Sequence, residues 1–197
     1  MKGKFIVFEG IDGSGKTIQA QLLFEYLKKR GFDVILTREP TDGPIGKLIR
    51  SALKKKWKAA NVTLQLLFSA DRSHHLATEI IPSVEEGKIV ISDRYAFSTI
   101  AYGSLDIDEK WLEEINSKFI QPDVIFILDL PVDIAIDRIK SNRSVIELFE
   151  EKEKLEKIRK TYLTLAEKYP NCYVIDATKS VEEIHSEIKE VVEKILF

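Results

Sequence analysis

The sequence contains a single cysteine, Cys172, in 197 residues, so it can build neither an intrachain disulfide nor a cysteine zinc cluster. A lone thiol between Asn171 and Tyr173 reads as a small buried strand residue in a reducing compartment. A basic excess is also missing. Thirty Lys and Arg face 32 Asp and Glu, a net charge of −2, which removes the positive field expected of a nucleic-acid binder. No apolar run reaches the ~18 residues that a membrane helix needs. Met1-Lys2-Gly3-Lys4 leads straight into an apolar strand pattern rather than a cleavable leader, so a cytoplasmic location is expected. Repeats and low-complexity linkers are absent, and the length suits one domain, 1–197, with a full core. The adjacent His74 and His75 lack the i, i+4 spacing of a helical metal pair, and Lys54-Lys55-Lys56 reads as a solvated helix end.

What the sequence does have is alternation. Short apolar runs at 4–9, 33–37, 88–92, 124–130 and 172–176 read as strands. Amphipathic patterns at 15–29, 44–56, 62–86, 97–103, 108–119, 132–140, 145–168 and 180–196 read as helices. Gly31 is a stop signal, and Pro82 should kink or end its helix. Apolar strands separated by helices predict an α/β fold, a five-stranded parallel sheet with helices on both faces. Ligands then bind at the C-terminal ends of the strands.

The first strand runs into Gly10-Ile11-Asp12-Gly13-Ser14-Gly15-Lys16-Thr17, a Gly-x-x-x-x-Gly-Lys-Thr motif between strand and helix. Its glycines let backbone N–H groups approach phosphate oxygens, and the helix N-terminus adds positive potential at the same place. Lys16 is expected on the β/γ-phosphates of ATP and the Thr17 hydroxyl on Mg²⁺. The four fixed positions coincide by chance in under ~1% of chains this long. No guanine-reading Asn-Lys-x-Asp segment is present, and the chain is short for a motor or transporter ATPase. A small P-loop kinase of three layers remains, which must also hold an acceptor and a closing lid.

Three further segments supply acceptor chemistry. The first runs from Thr37-Arg38-Glu39-Pro40 to Leu48-Ile49-Arg50, beyond the second strand. In Leu66-Leu67-Phe68-Ser69-Ala70-Asp71-Arg72, Phe68 and Arg72 share a helix face and can stack on and hydrogen-bond one planar base. The third, Ser92-Asp93-Arg94-Tyr95 to Tyr102, places Arg94 to neutralise a phosphate and Asp93 to hold Mg²⁺ waters. Purely structural readings stand beside these: Phe68 as core, Arg72 as a solvated charge, Asp93 as a helix cap.

Together the segments resemble the thymidylate kinase family. The matching strings are Phe8 to Thr17, Thr37-Arg38-Glu39-Pro40, Leu67-Phe68-Ser69-Ala70-Asp71-Arg72, Asp93-Arg94-Tyr95 to Tyr102, Leu128-Asp129-Leu130-Pro131 and Val174-Ile175-Asp176-Ala177, in family order. The resemblance implies MgATP and dTMP as substrates, dTDP and ADP as products, and a homodimer. It implies Phe68 stacked on thymine, Arg72 on the base's carbonyl edge, and Arg50 and Arg94 on the acceptor phosphate. Asp12 would lie near the sugar 3′-hydroxyl, Glu39 near the acceptor phosphate and metal, and Tyr102 against the ribose 2′ position. Ser98 joins this substrate-contact set. Arg138 would pack on adenine, with the loop Asp176-Ala177-Thr178 on its other side.

Two departures from the family matter. Some members carry an arginine in the P-loop just after the acidic residue, where this chain has Gly13. The charge on the transferred phosphoryl group should then come from a short lid at about 138–147, with Arg143 the candidate and Arg138 and Lys140 nearby. Bacterial relatives have Gln after the tyrosine, where this chain has Gly103, which puts one base contact in doubt. The alternatives are another deoxypyrimidine monophosphate kinase or UMP/CMP-type kinase, a nucleoside kinase, or a non-catalytic nucleotide sensor.

Overall fold

The structure, a computed structural model, describes residues 3–139 and 145–196. Its core is a parallel sheet of β1 (Lys4–Glu9), β2 (Val34–Arg38), β3 (Ile89–Asp93), β4 (Val124–Asp129) and β5 (Cys172–Asp176), in the order β2-β3-β1-β4-β5. The expected five-stranded sheet is therefore present, with strand limits displaced by a residue at most. In β1, β3 and β4 successive residues are buried whichever way they point, which requires cover on both faces. The edge strands β2 and β5 are more exposed. Cys172, expected as a small buried strand residue, does lie in a strand, but at the sheet edge, where it is half-buried; burial pushes its thiol up to about 12.

The helices are α1 (Lys16–Lys29), α2 (Pro44–Leu53), α3 (Asn61–His75), α4 (Ile81–Glu85), α5 (Ala96–Gly103), α6 (Glu109–Asn116), α7 (Val132–Ile139), α8 (Val145–Lys168) and α9 (Val181–Leu196). α1 packs on β1, β2, β3 and α9, while α8 packs on β4, β5, α5 and α7. The segment expected as one helix over 62–86 divides: a π-helical turn, Leu76–Ile80, joins α3 to α4, with Pro82 in the first turn of α4. Pro82 has no N–H to donate and its ring crowds the preceding turn, so widening that turn lets the chain continue without a sharp break. No described helix is long and apolar enough to cross a membrane.

β1 pairs with β3 on one side and β4 on the other, so the connections diverge at its C-terminal end. This topological switch opens a crevice there, which is where the glycine-rich turn begins.

Candidate active site

The turn between β1 and α1 is shaped by glycines. Gly10 (φ 138°) and Gly13 (φ 82°) adopt backbone conformations that L side chains rarely accept. A Cβ on Gly10 would lie 2.7 Å from the Leu128 carbonyl oxygen, and one on Gly13 2.9 Å from that of Ala135. The N-cap of α1 is Gly15, so no side chain occupies the first N–H groups of the helix, which remain available to an anion. Lys16 is buried and donates from Nζ to the Ile11 carbonyl at 2.8 Å. Burial, followed by the cationic Arg94, pulls its pKa down to about 7 against the carboxylates of Asp12, Asp93 and Glu9.

Thr17 Oγ1 donates to Asp93 Oδ2 at 2.5 Å, and Asp93 Oδ1 is buried without a hydrogen-bond partner. A hydroxyl beside an under-satisfied carboxylate, at the mouth of a phosphate cradle, fits Mg²⁺, a hard cation held by one or two protein oxygens plus phosphates and water.

Arg94 is the centre of the site. It sits at φ 76°, unusual for a non-glycine residue, with its N–H donating to the Phe8 carbonyl and its own carbonyl accepting from Ser92 Oγ. Its guanidinium pairs with Asp12, donates to Ser98 Oγ at 2.8 Å and to the Tyr102 and Tyr162 hydroxyls at 3.4 Å, and lies over the Tyr102 ring. Burial opposes that charge, but Tyr102, Tyr162, Asp12 and Glu9 more than offset it, so Arg94 stays cationic.

Glu9 is fully buried beneath Arg94. It accepts from the N–H groups of Tyr95 (2.8 Å) and Ser98 (3.1 Å), from Ser98 Oγ (2.6 Å) and from the Tyr162 hydroxyl (3.1 Å). It thereby caps α5 from a neighbouring strand, since the helix's own N-cap, Tyr95, offers no side-chain bond. Burial raises its pKa, with Ser98 and Arg94 opposing.

Two cavities meet here. One, about 580 Å³, is lined by the P-loop residues 12–19, Arg138, Ala177 and Lys179 among others. Arg138 donates to the Gly13 and Ala177 carbonyls, tying the P-loop to the loop after β5, where Asp176 accepts from the Thr178 N–H and hydroxyl. The other cavity, about 460 Å³, is lined by Glu39, Phe68, Arg72, Ser98, Thr99 and Tyr102 among others. Asp12 and Arg94 line both. Tyr102 reinforces the junction, because its hydroxyl accepts from the Asp12 N–H at 3.2 Å.

Arg72 is not a solvated charge. It is 1% exposed, paired with Glu39 at 2.7 Å, bonded to Thr99 and Asn116, and set over the Tyr95 and Phe119 rings. Glu39 also faces His75 Nδ1 at 3.2 Å, while His75 Nε2 faces Glu79 at 2.9 Å and Thr37 at 2.8 Å. Burial opposes a charge on His75, but the two carboxylates raise its pKa above 6.5. Arg50 stands apart from the acceptor cavity's lining, its guanidinium on the Pro40 carbonyl (2.8 Å) and Asp42 (3.0 Å). Arg143 and Lys140 lie outside the described residues.

Residues 8–188 match the family model described as thymidylate kinase. The chain belongs to the thymidylate kinase family. It is 43% identical over 201 residues to the probable thymidylate kinase of Thermococcus kodakarensis, covering 98% of each chain. It is 47% identical over 191 residues to the probable thymidylate kinase of Sulfurisphaera tokodaii, covering 96% of this chain and 95% of that one. The crystal structure of thymidylate kinase from Ehrlichia chaffeensis superposes with a TM-score of 0.80 at 32% identity, covering 98% of this chain and all of that one.

Within this family frame, four residues carry geometry that the sequence patterns did not single out. Glu9 ends an apolar strand and Tyr162 continues a helical stripe with Leu155, Ile158 and Leu165, all buried, so neither breaks its pattern. His75 had a signal, since Glu79 lies four residues on, on the same helical face. Gln65, seven residues before Arg72, fills the space beside Gly103 from α3.

Proposed function

We propose that the protein transfers the γ-phosphoryl group of ATP to dTMP, giving ADP and dTDP. The observation that carries this reading is the meeting of a phosphate cradle and a base-sized cavity at Asp12 and Arg94. ATP occupies the P-loop side, with Arg138 and Ala177 at the adenine end. The dTMP base lies between Phe68 and Arg72, its deoxyribose against Tyr102, and its phosphate at Arg94.

An acceptor phosphate oxygen attacks the γ-phosphorus in line while the bond to the β,γ-bridging oxygen breaks. The acceptor is already an anion, so positioning and charge neutralisation matter more than a general base. Lys16 neutralises the β- and γ-phosphates, whose charge in turn favours its protonated form. Arg94 bridges the acceptor and the transferring group, held by Asp12, Glu9 and the two tyrosines. Ser98 serves chiefly to fix Arg94 to Glu9. Thr17 and Asp93 would hold Mg²⁺, which supplies neutralisation of the polyphosphate charge when bound. Arg143 on a lid over about 138–147 adds the remaining cation, the whole chain acting as one catalytic domain. Arg50 and Glu39 act on the acceptor side mainly by fixing the loop after β2 and Arg72.

We assign the reaction to the cytoplasm, as the sequence pattern at residues 1–9 suggests. Leu48, Leu53, Val62 and Leu66 are exposed large apolar residues on the packed pair α2 and α3, and we assign this face to a homodimer. The test of function is a panel of dTMP, dUMP, UMP, CMP and thymidine with MgATP. The reading expects dTMP to be the best acceptor; preference for thymidine, or ATP binding without ADP formation on any acceptor, would overturn it.

A further inference from the structure

We infer that Gln65 is a specificity-determining residue of the acceptor cavity, its side-chain carbonyl accepting the N3–H of a keto-pyrimidine base. The inference rests on the assignment of that cavity to dTMP.

Gln65 lies three residues before Phe68 and seven before Arg72 on α3, so the three side chains project on one side of the helix. It is 6% exposed and lines the same cavity as Phe68, Arg72 and Gly103. Its Oε1 is buried and has no hydrogen-bond partner in the protein. Native interiors keep few such orphans because an unpaired buried acceptor is costly. Arg72 Nε, a donor, is also buried without a partner. Two residues that line the cavity thus hold, just behind its surface, an unpaired donor and an unpaired acceptor, the complement of the carbonyl and N–H of an imide edge, while Glu39 Oε2 is taken by its ion pair with Arg72.

Gly103 gives the amide its place. A Cβ at that position would stand 3.1 Å from Gln65 Cδ and 2.9 Å from Leu112 Cδ1, so any larger residue pushes the carboxamide away. Gly103 has no positive φ that would require glycine, which leaves room for the Gln65 side chain as its local steric consequence.

The pairing discriminates between bases only in combination. A carboxamide alone can rotate to present either its oxygen or its NH₂. Arg72 cannot, since a guanidinium only donates, and this one is fixed by Glu39, Thr99 and Asn116. A base carbonyl must therefore face Arg72, and in thymine or uracil the neighbouring N3–H then meets Gln65 Oε1. Cytosine would set its amino group against Arg72 and its unprotonated N3 against Oε1, two mismatches together. Thymine and uracil are equivalent at this edge, so Gln65 reads the imide and not the methyl group.

The test is kcat/KM for dTMP, dUMP and dCMP in wild type, Gln65→Met and Gly103→Ala. Met keeps the length of Gln65 and its helix propensity but has no carboxamide. The expected result is a loss of about 10- to 100-fold in kcat/KM for dTMP and dUMP in Gln65→Met, a smaller loss for dCMP, and an unchanged KM for ATP. Gly103→Ala should weaken dTMP in the same direction, with its effect shrinking in the Gln65→Met background because both act on one amide. An unchanged dTMP/dCMP ratio in Gln65→Met, with or without a fall in Tm, overturns the role of Gln65 and leaves it a packing residue. Wild-type turnover of dTMP tests the cavity assignment on its own, and its absence would overturn both.

Discussion

The two halves of the site solve the same problem, holding a phosphate, by opposite means. The donor half is built mainly on one stretch of chain, residues 10–17, whose glycine conformations and helix N-terminus present backbone N–H groups to an anion, with Lys16 and Thr17 on the same stretch. The acceptor half is assembled from side chains on the P-loop, the loop after β2, α3 and α5, with support from α6 and α8. Of its cations Arg72 is buried and Arg94 partly buried, and each stands by a buried carboxylate, Glu39 or Glu9, that would be costly to bury alone. The donor half should therefore lose function without losing stability when it is cut, whereas the acceptor half should lose both.

The largest expected effect separates the halves directly. Lys16→Ala and Arg94→Ala should each lower kcat by about 10²-fold or more, the scale of removing one stabilising contact to developing charge. Their stabilities should diverge. Lys16 is a charge that burial disfavours, so its loss should leave Tm unchanged or raise it. Loss of Arg94 leaves the buried Glu9 without its neighbouring cation and should cost about 1–3 kcal/mol in denaturant unfolding. Near-normal turnover in Arg94→Ala would remove it from the transfer step, and equal stabilities would erase the contrast.

A smaller effect is expected from Tyr162→Phe, which deletes one hydroxyl on α8 and leaves Glu9 one donor short. The loss of stability should be about 1–3 kcal/mol. Because Tyr162 also bonds Ser98 and Arg94, kcat should fall more than KM for dTMP changes. A Tm unchanged from wild type would show that α8 does not support the acceptor half.

The smallest is a pH effect at His75. The folded chain holds the His75 proton more tightly than the unfolded chain, whose value is near 6.5. The stabilisation is therefore complete below about pH 6.5 and is lost as pH rises through the higher folded value. His75→Gln should lower Tm at pH 6 and have little effect at pH 9. A difference that grows toward alkaline pH would mean that Glu39 and Glu79 do not hold an imidazolium.

The same contrast explains what could be read from the sequence. The P-loop is contiguous, so strand, glycines, Lys16 and Thr17 announce it together, and the alternation of apolar strands with amphipathic helices announces the sheet. Asp93, Arg94, Phe68 and Arg72 could be picked out because each sits in a short string at the end of a strand or on one helix face. Glu9 was not, since its partners, Ser98 and Tyr162, lie 89 and 153 residues away. Gln65 was hidden for a related reason: the room it uses is created by a glycine on another helix. The partnership of Arg50 with Pro40 and Asp42 depends on the fold of a loop that the sequence does not spell out.

The central claim is that two cavities share one transfer point at Asp12 and Arg94. A conjugate of adenosine and thymidine joined by an oligophosphate tests it most directly, by inhibition kinetics against each substrate in turn. Competitive inhibition against both ATP and dTMP, weakened in Arg94→Ala, is the predicted result. Inhibition competitive with only one of them would mean that the cavities do not meet where the structure joins them.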